Sequence, residues 1–396
     1  MAVPKLRFKE FKNEWKKIKL KDISTNISYG MNSAATEFDG TNKYIRITDI
    51  DEKTSLYSDT PVSPLGILDD KFLVKENDIL FARTGASTGK SYLYNKTDGK
   101  LYFAGFLIRA NIKKDYNSRF IFEQTKLNKY NNWIKIMSIR SGQPGINSIE
   151  YGNYEFSITH IDEQKKIAIV IELVNKKIEL QQKKIEALKI YKKGLIIKFF
   201  NSLNCDEKQI KDIGVIITGT TPSKNNLNYW HTGNIAWVTP SDITESKNIY
   251  SSEVCLTQLG LSVGRKLPTN SLLVTCIASI GKNAILKVEG SCNQQINAII
   301  PNDDCDIDFL YYLFEHKKSY MQSIAGTSAT SIINKSSFEK ILVKIPTIDV
   351  QKKISKTLSL IDNKIELQNC LLENLIHLKK YLLQQMFIWK GLHFKM

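Results

Sequence analysis

The sequence lacks the residue spacings that zinc sites and disulfide frameworks use. Its six cysteines all lie beyond residue 200, and no two of them form a C-x-x-C pair. Its five histidines show no paired spacing either. Because both kinds of site depend on such spacings, we predict no metal ligands and no disulfide framework.

Long apolar runs are also absent. No stretch of eighteen apolar residues occurs, and the opening MAVPKLRFKEFK contains no apolar segment beside a cleavage signal. A membrane-spanning helix needs about twenty mostly apolar residues, and a secretory signal needs an apolar core. We therefore expect a cytoplasmic protein.

Catalytic motifs for DNA chemistry are missing as well. The chain has no Pro-Pro pair, which the amino-methyltransferases that act on bases carry, and no convincing glycine-rich turn for S-adenosylmethionine. PSDITESK at 240–247 offers Asp242, Glu245 and Lys247 to a nuclease, but they are crowded into one segment. A metal-dependent nuclease holds its ion between carboxylates on separate strands. We predict no catalytic residue in this chain.

What the sequence does have is an uneven positive charge. The net charge is +16, and residues 1–200 hold 35 Lys and Arg against 23 Asp and Glu, a net charge of +12. Such an excess favours a polyanionic partner, with nucleic acid as the first candidate. A solvated lysine-rich surface is the alternative that charge alone leaves open.

The chain is internally duplicated. IDEQKKIAIVIELVNKKIELQ at 161–181 returns as IDVQKKISKTLSLIDNKIELQ at 348–368, with more than half of the positions identical. Earlier segments repeat in the same order: YIRITDI at 44–50 matches WVTPSDI at 237–243, and NDILFARTGASTGKSYL at 77–93 matches NSLLVTCIASIGKNAIL at 270–286. An internal repeat of this length predicts two structural units with related folds.

Each copy ends in a segment with a heptad pattern, which predicts two long helices over 161–200 and 348–390. Each apolar seam contains one glutamine, and a lone polar residue in a seam can fix helix register. We expect the two helices to pack together as an antiparallel coiled coil; the alternative is that each lies on its own domain. The predicted seam positions are Ile167, Ile171, Val174, Ile178, Gln181, Ile185 and Leu188 in the first helix, and Ile354, Leu358, Ile361, Ile365, Gln368, Leu372 and Leu375 in the second.

The segments before the helices contain short β-prone runs separated by Gly, Asn, Asp and Pro. This pattern predicts α+β domains over 1–160 and 201–347. Within the first, RTGASTGKS at 83–91 ends like a phosphate-binding loop, but only three residues separate Gly85 from Gly89-Lys90-Ser91, and that loop needs four. The second copy keeps only Gly281-Lys282. The repeated feature is a strand, a small-residue turn and a lysine, which suits a phosphodiester or a structural hairpin.

The duplicated layout, the YIRITDI and WVTPSDI strands, the glycine-lysine turns and the two IDxQKKI helices together resemble the specificity subunits of type I restriction-modification enzymes. The resemblance covers nearly the whole chain. It implies two target-recognition domains, each reading one half of a split double-stranded DNA sequence, joined by two antiparallel helices with pseudo-two-fold symmetry. It also implies two methyltransferase subunits and restriction subunits as partners, with S-adenosylmethionine, ATP and Mg²⁺ bound by those partners and no cofactor in this chain.

Polar side chains on the loops of both domains are the candidates for DNA contact, because direct readout uses Arg, Lys, Asn, Gln, Ser and Thr. The main rival is a scaffold whose coiled coil recruits protein partners and whose flanking domains bind something other than DNA. Salt distinguishes the two hypotheses, because binding to DNA should weaken steeply as the salt concentration rises, whereas coiled-coil docking should not. The candidates are Arg46, Thr48, Arg83, Thr84, Ser87, Lys90, Ser141 and Gln143 in the first domain, and Thr239, Ser241, Ser279, Lys282, Asn283, Thr327 and Ser328 in the second.

Overall fold

The computed structural model describes residues 4–52, 54–58, 60–326 and 332–387. The chain forms two compact units: unit 1 comprises Met1–Gln181 and Leu371–Met396, and unit 2 comprises Gln182–Cys370. No helix within the described ranges has both the length and the apolar character that crossing a membrane requires.

Unit 1 is built from short strands, short helices and parts of two long helices. Its strands are β1 (Lys16–Lys19), β2 (Ser24–Tyr29), β3 (Ala35–Thr36), β4 (Lys43–Ile45), β5 (Ser63–Pro64), β6 (Asp78–Ala82), β7 (Ser91–Leu93), β8 (Leu101–Phe103), β9 (Leu107–Ile112) and β10 (Glu155–Ile158). Its short α-helices are α1 (Leu20–Ile23), α2 (Ser118–Gln124), α3 (Asn128–Met137) and α4 (Ser148–Gly152). The long helix α5 (Ile161–Asn201) begins here.

The main sheet of unit 1 has the strand order β2-β9-β6-β7, with antiparallel neighbours. Successive side chains of a strand point to opposite faces, and both faces of β6 are buried. Ile79 and Phe81 pack into one apolar cluster, whereas Leu80 and Ala82 pack into another. Burial on both faces explains why ILFA at 79–82 is an unbroken apolar run and not an alternating one.

Unit 2 repeats this plan. Its strands are β11 (Glu207–Gln209), β12 (Gly214–Thr218), β13 (Ile235–Val238), β14 (Asn248–Ile249), β15 (Cys255–Leu256), β16 (Ser271–Thr275), β17 (Asn283–Leu286), β18 (Gly290–Cys292), β19 (Ile296–Pro301) and β20 (Leu342–Lys344). Its helices are α6 (Gln258–Val263), α7 (Ile307–Ala325), α8 (Lys335–Glu339) and the start of α9 (Ile348–Phe387). The main sheet runs β12-β19-β16-β17-β14, so β12, β19, β16 and β17 match β2, β9, β6 and β7. The predicted α+β fold with internal duplication is confirmed.

The repeated glutamine at the start of each long helix has a structural role. The Gln164 side chain accepts a hydrogen bond from the backbone N–H of Asn117 at 3.0 Å, and Asn117 caps α2. Gln351 accepts the equivalent bond at 2.9 Å from Asp306, which caps α7. Each long helix is therefore fixed to the N-terminus of an earlier helix of its unit, α2 for α5 and α7 for α9, which accounts for the glutamine of the repeated IDxQKKI motif.

Both long helices contribute to each unit. In unit 1, Ile167 and Ile171 of α5 share an apolar cluster with Met386 and Phe387 of α9. In unit 2, Ile196 and Phe200 of α5 share a cluster with Ile354 and Leu358 of α9. In the same unit the Lys192 ammonium lies 2.6 Å from the Asp362 carboxylate. The later residues of α5, Ile196 and Phe200, thus share a cluster with the earlier residues of α9, Ile354 and Leu358, so the two segments run antiparallel within unit 2.

All fourteen predicted seam positions are buried or half-buried. Several apolar residues off the seam are exposed, such as Leu173 at 61% and Leu180 at 55%, although Ala168 is buried. This burial is what the heptad pattern predicts. Packing of the two seams against each other as a coiled coil stays a prediction, and residues 388–390 of the predicted second helix lie outside the described residues.

Candidate nucleic-acid interface

The first candidate region is the turn that joins β6 to β7. It is closed by the N–H of Ala82 donating to Lys90 at 2.8 Å and the N–H of Gly89 donating to Ala82 at 2.9 Å. Gly85 and Gly89 have φ angles of +75° and +93°, the left-handed region that favours glycine. At Gly89 a Cβ would also lie 2.8 Å from the Ile134 side chain. The glycines are thus required by the turn itself.

The backbone of this turn does not cradle a phosphate as a nucleotide-binding loop does. The N–H of Gly85 donates to Pro144, that of Thr88 to Gly85, and that of Lys90 to Ser87. Since these donors are used inside the protein, they do not point into a shared anion site. The resemblance to a nucleotide-binding loop is confined to the letters GKS.

A second loop, residues 138–147, packs against the turn and completes the region. Thr84 and Gly145 form an antiparallel bridge, and the N–H of Ile146 donates to the Arg83 carbonyl at 2.9 Å. A salt bridge of 2.6 Å between Arg140 and Glu150 holds the loop at its other end. Six predicted contact residues therefore lie on two adjoining segments of unit 1, which we call the unit 1 turn-loop pair: Arg83, Thr84, Ser87, Lys90, Ser141 and Gln143.

Arg83 has a partner that the sequence analysis missed. Its guanidinium lies over the ring of Tyr29, 4.8 Å from the ring centroid. The Tyr29 hydroxyl accepts a hydrogen bond of 3.1 Å from the N–H of Ser148. Burial acts to raise the pKa of Tyr29, but the Ser148 bonds and the Arg83 charge outweigh it, so the pKa of Tyr29 lies below its ordinary value. Tyr29 ends β2, and only the sheet order brings it beside Arg83.

Arg46 and Thr48 lie in a separate short turn after β4. The Arg46 N–H donates to Asp49 at 2.8 Å, and the Arg46 guanidinium donates two further bonds to the same carboxylate at 2.9 and 2.8 Å. These bonds with Asp49 raise the pKa of Arg46. Glu52, shortly after this turn, lies 3.8 Å from the Lys90 ammonium, so the turn is close to the unit 1 turn-loop pair.

Unit 2 repeats both features with different side chains. Thr239 donates its N–H to Asp242 at 2.8 Å, as Arg46 does to Asp49, and the hydroxyls of Thr239 and Ser241 lie 2.7 Å apart. The turn between β16 and β17 is closed by Thr275 donating to Lys282 at 2.9 Å. The N–H of Ile333 donates to the Cys276 carbonyl at 2.9 Å, as Ile146 does to Arg83. The turn carries Ser279 and Lys282, both half-buried.

One predicted contact in unit 2 needs correction. Asn283 is 4% exposed and donates to the Glu315 carboxylate at 2.7 Å, which takes it out of direct reach of a bound molecule. Burial raises the pKa of Glu315. The sequence placed Asn283 next to Lys282 in the turn, but Asn283 is the first residue of β17, where its side chain faces the interior of the unit. Thr327 and Ser328 lie outside the described residues.

The three residues considered for a nuclease site have separate partners. Asp242 accepts from the N–H of Thr239 and Glu253, Glu245 pairs with Lys189 at 3.1 Å, and Lys247 pairs with Asp308 at 2.8 Å. Across the described ranges, no group of three or more His, Cys, Asp or Glu side chains is arranged to hold a metal ion.

Comparison with known proteins identifies relatives of both halves of the chain. The family model described as type I restriction modification DNA specificity domain matches twice, at residues 12–189 and 203–377. The chain is 35% identical over 170 residues to the type I restriction enzyme MjaIX specificity subunit of Methanocaldococcus jannaschii, covering 41% of this chain and 38% of that protein. It is 32% identical over 186 residues to the HindI specificity subunit of Haemophilus influenzae, covering 43% and 40%. The chain thus spans about two fifths of the length of these two relatives.

Longer matches are more distant. The putative MjaX specificity subunit of M. jannaschii is 23% identical over 96% of this chain and 94% of its own length. Among solved structures, the S subunit from M. genitalium matches with a TM-score of 0.60 and 14% identity, over 97% of this chain and 99% of that one. A chain from a structure concerning assembly and conformational transition of the type I R-M system matches with a TM-score of 0.63 and 14% identity, over 94% and 97%. At that identity the structural likeness shows the fold alone.

Proposed function

The chain belongs to the family of type I restriction-modification DNA specificity proteins, and on that premise we propose that it recognises a DNA sequence in two separate halves. Recognition domains over 1–160 and 201–347 would each read one half, and the long helices over 161–200 and 348–390 would set the gap between them. The observation that carries this proposal is the repeated turn with its adjoining segment. The backbone bonds are equivalent in both units, whereas the side chains differ.

Such an arrangement suits readout of an asymmetric bipartite sequence. A constant backbone would place the turns alike against DNA, and variable side chains would supply base contacts that differ between the halves. The positive charge is concentrated in the first 200 residues, and Lys and Arg there can neutralise phosphates independently of sequence. In unit 1 the proposed contacts are those of the turn-loop pair with Arg46 and Thr48; in unit 2 they are Thr239, Ser241, Ser279 and Lys282, with Thr327 and Ser328 proposed from sequence.

The chemistry would come from partner proteins. We place two methyltransferase subunits, which bring S-adenosylmethionine, and restriction subunits, which use ATP and Mg²⁺, around this chain in the cytoplasm. The chain itself would supply recognition and no catalysis. The predicted coiled-coil seam would position the two recognition domains and present docking surfaces for the methyltransferase subunits.

The proposal is tested by coexpressing the chain with its methyltransferase subunits in a host that lacks other adenine methylation, and mapping methylated adenines by single-molecule sequencing. We expect one split motif that disappears when this chain is omitted. The purified chain alone should neither methylate nor cut DNA when S-adenosylmethionine, ATP and Mg²⁺ are supplied. The alternative is the coiled-coil scaffold. It would be supported if the chain binds its protein partners, yields no methylation motif and shows no DNA binding that weakens steeply with salt.

A further inference from the structure

The six arginines of unit 1 differ in how their charge is used. Five of them have a carboxylate within 4.0 Å among the described residues: Arg7, Arg46, Arg109, Arg119 and Arg140. Arg83 has none there and lies over an aromatic ring instead. A nearby carboxylate offsets the charge of a guanidinium inside the protein, whereas a stacked guanidinium without one keeps its charge and its planar edge for a ligand. Arg83 is therefore the arginine of unit 1 whose charge no carboxylate of the described residues offsets.

The position of Arg83 is fixed from three sides. Its N–H donates to the Phe106 carbonyl at 3.1 Å, and its own carbonyl accepts from Ile146 at 2.9 Å. The Tyr29 ring supports the guanidinium, and the bond from Ser148 fixes that ring. A side chain that is held before binding loses less conformational entropy when it contacts a ligand. The side chain of the half-buried Arg83 is thus held in one geometry before it binds a ligand.

Unit 2 has different side chains at the positions equivalent to Tyr29, Ile108 and Arg83. Tyr29 pairs with Ile108 across β2 and β9, and Thr218 pairs with Asn297 across the equivalent strands. There the Thr218 hydroxyl donates to the Asn297 side-chain oxygen at 2.6 Å, and the Asn297 amide lies 3.2 Å from the Cys276 sulfur.

Cys276 occupies the place of Arg83, because Ile333 and Gln295 bond to its backbone as Ile146 and Phe106 bond to that of Arg83. It is 3% exposed. Unit 2 therefore fills the place of Arg83 with a buried cysteine that is hydrogen-bonded to its neighbour. The arginine that lies nearby, Arg265, donates to the Thr218 carbonyl at 2.6 Å.

We propose that Arg83 reads a guanine in the half-site of unit 1, with Tyr29 as its positioning residue, and that unit 2 has no counterpart of this contact. This inference rests on the proposed DNA recognition. A planar guanidinium matches the O6 and N7 acceptors of guanine in the major groove through two parallel hydrogen bonds, a pattern that no other base presents. Phosphates also accept from arginine, but a phosphate contact carries no base preference.

The test uses the complex of the full chain with its methyltransferase subunits and duplexes bearing the motif mapped for the wild type. Arg83→Ala should relax selectivity about ten- to hundredfold at one guanine of one half-site and leave the other half-site unchanged. Arg83→Lys should relax the same position, because a lysine keeps the charge but loses the two-pronged geometry. Replacing that guanine by 7-deazaguanine, which lacks the N7 acceptor, should weaken binding by the wild type but not by Arg83→Ala.

Tyr29 is tested by comparing two substitutions. Tyr29→Phe keeps the ring beneath the guanidinium and should keep the selectivity, whereas Tyr29→Ala should relax the same base position as Arg83→Ala. Thermal unfolding of each variant separates this effect from loss of the fold. Lys96→Ala, which removes an equal charge from an exposed site of unit 1 paired with Glu76, should change no base preference.

Two results would overturn the assignment. Selectivity that is unchanged at every position in Arg83→Ala excludes Arg83 as a reader. Affinity that falls equally for all sequences in Arg83→Ala, and is restored in Arg83→Lys, makes Arg83 a phosphate contact. Either result leaves the proposed function standing, which fails separately if the wild-type complex shows no split motif at all.

Discussion

The ammonium of Lys126 donates a hydrogen bond of 2.8 Å to the hydroxyl of Ser91, the residue that follows the Gly89-Lys90 pair. In unit 2 the residue after Gly281-Lys282 is Asn283, which donates to Glu315 at 2.7 Å. A side chain from outside the sheet thus contacts the strand at the end of each turn: the amine of Lys126, from the turn between α2 and α3, in unit 1, and the carboxyl group of Glu315, from α7, in unit 2. Each turn is supported from within by an ionisable group.

Stability should depend on pH through Lys126. Burial lowers the pKa of Lys126 to about 7, from 10.5 in the unfolded chain. Between those values the unfolded state binds more protons, so stability rises with pH from about 7 to about 10, and the cost of the charge is complete below pH 7. Lys126→Met should stabilise the protein most at low pH, and its advantage should shrink by roughly 1 kcal/mol per pH unit above pH 7.5.

The measurement for Lys126 is urea unfolding at pH values from 6 to 9.5. Lys96→Met, at an exposed position, serves as the control and should run parallel to the wild type. Parallel curves for Lys126→Met and the wild type would show that Lys126 stays charged in the folded protein.

Gly89 should tolerate alanine less well than Gly66, although both have positive φ angles of +93° and +92°. A Cβ at Gly89 would lie 2.8 Å from Ile134, whereas one at Gly66 would have no heavy atom within 4 Å. Both substitutions add backbone strain of about 1–2 kcal/mol, and Gly89→Ala should lose about 1–3 kcal/mol more through overpacking. Urea midpoints of the two variants give this difference directly. Equal losses would mean that Ile134 moves aside without cost.

Ala278→Gly should stabilise unit 2. Ala278 has a φ of +62°, at the place where unit 1 uses Gly85 with a φ of +75°. Relief of the left-handed strain, about 1–2 kcal/mol, exceeds the entropy cost of glycine, so we expect a net gain of about 0.5–1 kcal/mol. Ala86→Gly, in the unit 1 turn, should lose stability instead, because Ala86 is not among the described residues with positive φ. Calorimetric unfolding of both variants decides whether the signs are opposite.

Lengthening both long helices should widen the gap between the two DNA half-sites. Seven residues inserted after Gln181 and after Gln368 keep both heptad patterns in phase and add about 10.5 Å to each helix. At about 3.4 Å per base pair, the unread gap should grow by about three base pairs. Methylation mapping reads the new gap.

Two further outcomes test whether the long helices set the gap. Three residues inserted into one helix alone should lower stability, because the apolar stripe then rotates out of phase. A folded double-insertion protein with an unchanged gap would assign the spacing to the methyltransferase subunits.

The long helices and the repeated strands were predictable because their signals are periodic and occur twice. The heptad pattern indicated long helices in the segments where α5 and α9 lie, since the buried positions of a long helix recur at fixed spacing. The pairing of Arg83 with Tyr29 was not predictable, because it depends on which strands become neighbours in the sheet. Asn283 was misplaced for a related reason: its partner Glu315 lies on α7, and nothing near Asn283 in the sequence indicates that it faces inward.

The share of α9 in unit 1 has a consequence for how the protein is made. Trp15 and Phe120 pack against Phe387, with ring centroids 6.3 and 5.0 Å apart, and the N–H of Leu6 donates to Gln385 at 2.9 Å. On the ribosome, the first recognition domain is synthesised well before these contacts, so the part of its apolar core that Leu383, Met386 and Phe387 cover is completed only when α9 emerges. Unit 2, whose described core needs no residue beyond 370, can close first. The order of synthesis and the order of completed folding are therefore reversed, and a nascent chain stalled late in translation would expose the first domain's aromatic core to chaperones.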